Sequence, residues 1–175
     1  MKTPLVEVMQ KKLREVGYFL RQMGDIHERP GGDQENFEFL LSALLSSSRS
    51  ITGRLKNRQY SEWYTVWRKE RTLEQQKLLQ FMLDQRNAEV HRDGAEVEVA
   101  VTWIPLSRLR QDSYSHQGYG FHASGIPGMP PPEIGINVPQ FELDGKQVGA
   151  YKTCQDFVTV LKELVGAFGA AHPGA

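Results

Sequence analysis

A chain of 175 residues, 39% hydrophobic and 24% charged, has the size and balance of one globular domain able to bury a core. Its 21 basic and 21 acidic residues cancel, which argues against a protein that grips nucleic acid through many phosphates; yet residues 1–92 hold 16 Lys and Arg against 12 Asp and Glu, so a local basic cleft is allowed there. A single cysteine, Cys154, excludes an intramolecular disulfide and a Cys-rich metal cluster, and the lack of an apolar run long enough for a bilayer span or a secretory signal points to a cytosolic protein with no membrane partner.

In chain order, residues 4–29 place Leu5, Val8, Met9, Leu13, Val16, Phe19, Leu20 and Met23 at helical spacing, with Pro4 near the first turn. The Pro-Gly-Gly run at 30–32 ends this helix. A second helix is predicted over 36–58, with Phe37, Leu40, Leu41, Leu44, Leu45, Ile51 and Leu55 on one broad face. Ser42, Ser46, Ser47, Ser48 and Ser50 crowd its middle, small enough for a neighbouring helix to approach closely. A short aromatic helix follows over 61–71. The next, over 72–92, has Thr72 as N-cap, Gln75 at the capping-box position and Gly94 as its stop.

Beyond Gly94 the pattern alternates. Residues 95–103 put Val97, Val99, Val101 and Trp103 on one face and Glu96, Glu98 and Thr102 on the other, as in a half-buried strand. Residues 106–132 have no period and read as a long loop. Within 133–151, Asp144-Gly145 signals a two-residue hairpin, and a closing helix over 153–172 offers Phe157, Leu161, Leu164, Val165 and Phe168 to the core. The predicted architecture is mainly α: a bundle of four to five helices in a single domain, 1–175, with a small antiparallel β-sheet inserted over 95–152 before the C-terminal helix. A sheet this small needs the bundle to lie against.

The fourth helix ends in Arg86-Asn87-Ala88-Glu89-Val90-His91. At 100° per residue Arg86 and His91 stand about 140° apart, while His91 lies about 40° from the strip of surface that carries Asn87. Arg86 falls beside the apolar stripe of Leu79, Met82, Leu83 and Val90, where a guanidinium is costly unless something pairs with it. An acidic side chain, a helix C-terminus, a phosphate or a second copy of the chain would meet that need. In the plainest alternative Arg86 pairs with a buried acid and His91 caps the helix.

Arg86-Asn87-x-x-x-His91 near the end of a bundle helix resembles the signature of the HEPN superfamily. The upstream segment 37–55, rich in Leu, Ala and Ser and holding Ser48-Arg49-Ser50, is similar to that family's preceding helix. The resemblance covers roughly residues 1–92; the sheet and loop fall outside it. It implies a helical module that forms a homodimer with the two motifs facing across a composite cleft, and for many members a metal-independent endoribonuclease in a bacterial toxin, stress or defence setting. On that reading His91 is the general acid or base, Arg86 the phosphate clamp and Asn87 an orienting group; RNA is the substrate, and an antitoxin or other partner protein is a possible controller. A histidine in the last helical turn also has its charged form favoured by the helix dipole. The alternative within the same resemblance is a noncatalytic dimeric module that binds a nucleotide, RNA or protein.

Other clusters carry less. Tyr114, His116, Tyr119, Phe121 and His122 are suited to stacking on bases, as a lid over the cleft would, although such loops more often pack on their own scaffold. The two histidines have no zinc spacing, the serines at 46–48 lack a nucleophile turn, and dinucleotide and phosphate-loop fingerprints are missing. No cofactor and no metal is therefore assigned.

Overall fold

The computed structural model describes residues 4–27, 33–57, 59–91, 97–105 and 133–175. Helix α1 (Leu5–His27) turns the heptad-spaced Met9, Val16 and Met23 fully inward and runs against α2 (Gln34–Leu55) along most of its length. Helix α2 starts two residues earlier than the apolar pattern indicates. The reason is Asp33, whose carboxylate accepts the Asn36 backbone N–H at 3.1 Å and so satisfies one of the first-turn donors.

The serines of α2 divide between faces. Ser47 points at α1, its hydroxyl donating to Glu15 Oε2 at 3.5 Å, and buried Ser48 donates to the Leu44 carbonyl at 2.7 Å. Both are buried, Ser47 toward α1 and Ser48 beside residues of α4 and α5, whereas Ser46 is exposed and Ser50 half-buried.

Helix α3 (Ser61–Lys69) buries Tyr64 and Trp67 and ends two residues short of its predicted end. Gln76 from the next helix explains the early stop: its amide donates to the Lys69 and Arg71 carbonyls, at 3.4 and 2.8 Å, and takes over acceptors that another helical turn would have used. Helix α4 (Leu73–His91) opens with the capping box foreseen in the sequence. Thr72 Oγ1 accepts from the Gln75 N–H at 3.2 Å, and Gln75 Oε1 accepts from the Thr72 N–H at 3.4 Å. Leu79, Met82 and Gln85 are its buried positions among the described side chains.

Strands β1 (Glu98–Pro105), β2 (Glu133–Leu143) and β3 (Lys146–Gly149) form one antiparallel sheet in the order β1-β2-β3. Strand β1 is displaced toward the C-terminus from the predicted 95–103; the helix stop at Gly94 and the loop over 106–132 lie outside the described residues. Asp144 and Gly145 make the β2–β3 turn with φ of 52° and 73°, the left-handed pair that a two-residue hairpin requires. Pro139 pairs with Val99 in the central strand, which is unusual for a residue without an N–H. The β2–β3 pairing runs only from Gln140 to Leu143, so Pro139 has a neighbouring strand on one side alone.

Helix α5 (Ala150–Ala171) follows β3 directly and buries the five predicted core residues together with Cys154, Val158 and Val160. One buried cluster takes side chains from all five helices and from the sheet, where fully buried Phe141 meets Phe81 of α4 edge to face at 5.2 Å. Lys77 of α4 also reaches the hairpin turn, 2.6 Å from the Asp144 carboxylate. The sheet is thereby held against the end of the bundle that carries α4.

Candidate functional site

Position on α4 decides what each motif residue meets. Leu79 and Met82 fix the inward face, and Arg86, seven residues after Leu79, lies half-buried just off it. It borders a narrow apolar cleft with Leu45, Thr52, Leu83 and Phe157. Arg86 also lines a shallow groove of about 430 Å³ with Ser46, Arg49, Ser50, Gly53 and Arg54 of α2. Asn87 is exposed, and His91 is the last residue of α4, its side chain outside what the structure describes.

The groove wall on α2 follows from spacing. Ser46, Arg49, Ser50 and Gly53 stand at i, i+3, i+4 and i+7 and therefore share one face, with small residues between long cationic ones. Ser50 folds its hydroxyl back onto the Ser46 carbonyl at 3.2 Å, which leaves the space to the arginines. Arg49 and Ser50 of the Ser48-Arg49-Ser50 segment thus line the same groove as Arg86, 37 positions after Arg49 in sequence.

No carboxylate among the described residues is within ion-pair distance of Arg49, Arg54 or Arg86. Arg86 Nε is buried and makes no hydrogen bond. A desolvated N–H without an acceptor costs about 1–3 kcal/mol. The plain alternative, a buried acid paired with Arg86, finds no such acid among the described residues. What the arrangement can do chemically is hold an oxyanion between guanidinium forks, the geometry that suits phosphate oxygens.

The positive field continues past the groove. The Lys56 ammonium is held below its ordinary value by burial first, then by the guanidinium groups of Arg68 and Arg49. Other reactive candidates are removed by their surroundings. Cys154 is fully buried at the α5 interface, and burial pushes its thiol up to about 12, so it supplies no thiolate nucleophile. Ser48 is spent on the Leu44 carbonyl. Among the described residues no three metal-binding side chains converge, while His116, His122 and the aromatic residues between them lie outside those residues.

Set beside protein-family models, curated proteins and solved structures, the chain matches none of them. The groove must accordingly be read from its own chemistry. Among the described residues no helix is long and apolar enough to cross a membrane. Sequence reading named Arg86, Asn87 and His91; of these Arg86 lines the groove, Asn87 is not among its lining residues, and Arg49 and Arg54 had been given no role of their own. Their signal was present in the i, i+3, i+4, i+7 face of α2, where it was masked by the broader apolar pattern of the same helix.

Proposed function

We propose that the Arg86 groove binds the phosphodiester backbone of RNA and that the chain is a HEPN-like, metal-independent endoribonuclease acting as a homodimer. The observation that carries this reading is Arg86 itself, half-buried, its Nε unpartnered, facing a groove that already holds Arg49 and Arg54. In the reaction the ribose 2′-oxygen bonds to the adjacent phosphorus and loses its proton. The 5′-oxygen leaves and gains one, so the products are a 2′,3′-cyclic phosphate and a 5′-hydroxyl. His91 carries one of these protons, Arg86 balances the charge that builds on the non-bridging oxygens, and Asn87 orients the substrate.

The separation of about 140° between Arg86 and His91 on one helix supports a cleft built from two copies, each lending residues the other's motif cannot bring to the same phosphate. A toxin, stress or defence role, with RNA as target and a partner protein in control, belongs to the same proposal. A second reading has its own support: three guanidinium groups in an open groove, unpaired among the described residues, are sufficient for anion binding without turnover. That reading makes the chain a noncatalytic module for a nucleotide, RNA or protein.

One experiment separates the two. Purified wild type, Arg86→Ala and His91→Ala are incubated with mixed single-stranded and structured RNA in excess EDTA, after all three are shown to elute alike. Cleavage by the wild type alone, leaving 2′,3′-cyclic phosphate ends, is the expected outcome. RNA binding that Arg86→Ala weakens, with no cleavage by any of the three, would instead establish the binding module.

A further inference from the structure

A second basic recess opens where the C-terminal end of α2 meets α3 and the start of α4. It measures about 340 Å³, inside the range of roughly 300–1,000 Å³ typical of small-ligand sites, and is lined by Lys56, Tyr64, Arg68, Lys69 and Gln76 with two hydroxyl residues of α3. Three cations share this wall, and no carboxylate among the described residues pairs with any of them. Like charges gathered without a counter-charge are costly; the Lys56 ammonium is held below its ordinary value by burial first, and Arg68 and Arg49 lower it further.

Tyr64 gives an independent indication. The residue is only 3% exposed, and its hydroxyl is buried with no hydrogen-bond partner. Its ring lies parallel to that of Trp67, 6.3 Å away between centroids. A buried hydroxyl normally finds a partner, and this one lies within the field of Arg68. Gln76 is already spent on the carbonyls that end α3, and Thr65 on the Ser61 carbonyl at 2.7 Å. Three cations and the hydroxyls of Ser61 and Tyr64 are what remain.

We infer that this recess is a phosphate-binding site, taking a phosphate group between Lys56, Arg68 and Lys69 with the Tyr64 hydroxyl donating to one of its oxygens. The group belongs either to a free phosphate compound or to the terminal phosphate of a polynucleotide; the recognising chemistry is the same. The site does not depend on the nuclease reading, since it shares no residue with the Arg86 groove.

The test is a titration of the full-length protein with inorganic phosphate, followed by amide NMR at ionic strength held constant with chloride. Saturable shifts centred on residues 61–69 are expected in the wild type and, equally, in Arg86→Ala. Lys56→Gln and Arg68→Gln should each weaken binding about tenfold. Tyr64→Phe, which keeps the ring and its packing, should weaken it severalfold. A 5′-phosphorylated tetraribonucleotide that moves the same amides where its 5′-hydroxyl twin does not would assign the terminal phosphate. Inorganic phosphate acting while both oligonucleotides leave these amides in place would assign the free compound. Shifts that chloride alone reproduces, or an affinity unchanged by Lys56→Gln and Arg68→Gln, would overturn the site.

Discussion

At Arg86 the needs of the fold and of the groove part company. It lies beside Leu83 and Phe157, where an aliphatic stem adds apolar contact, but its Nε is stripped of water with nothing in exchange, which opposes folding. Two further guanidinium groups in the same groove add repulsion. Methionine would keep the apolar contacts and remove the charge. Arg86→Met is therefore expected to be at least as stable as the wild type in urea unfolding, with a gain of up to about 1 kcal/mol, while losing RNA binding and cleavage. A loss of stability of similar size would mean that the guanidinium has a structural partner after all, and that the groove is a by-product of packing.

At the scale of the element, helix starts are set by single side chains, and these were legible to different degrees. Thr72 and Gln75 close a reciprocal pair that isolates the start of α4 from the irregular turn after α3. Thr72→Ala removes the acceptor for the Gln75 N–H and should lower stability by about 1 kcal/mol, read as a reduced urea midpoint at unchanged slope; Thr72→Ser should restore most of it. That box was visible because it depends on residues three apart. The end of α3 was not, because it depends on Gln76, which belongs to another helix, and propensity within 61–71 carries no trace of it. The same distinction applies to the site. Arg86 showed itself as a charge out of place on an apolar stripe, whereas Arg49 and Arg54 sit where charges ordinarily sit, on an exposed helix face, and only the crossing of α2 with α4 gives them a common purpose. The hairpin turn was readable for the opposite reason, since Asp144-Gly145 fixes its own backbone without help from elsewhere.

For the whole molecule, the relation of sheet to bundle is the decisive matter, because α4 carries Arg86 and also touches the sheet. Three strands cannot enclose a core of their own. What β2 contributes is Phe141, fully buried and set against Phe81 of α4, within the same apolar cluster that contains α5. The surface pair Lys77–Asp144 lies over this contact, but both side chains are more than half exposed, so it contributes little. If the sheet and helices form one cooperative unit, Phe141→Ala should cost about 3–5 kcal/mol, the range for emptying a buried phenylalanine site, and unfolding followed by tryptophan fluorescence and by far-ultraviolet dichroism should still coincide. Asp144→Asn, which removes only the surface pair, should leave stability nearly unchanged by comparison. A loss below about 1 kcal/mol for Phe141→Ala, or two separated transitions, would show that the hairpin is hinged onto a bundle that folds without it. In the cooperative case a change at the sheet is transmitted to the base of α4, and variants at Phe141 should also impair whatever the Arg86 groove binds.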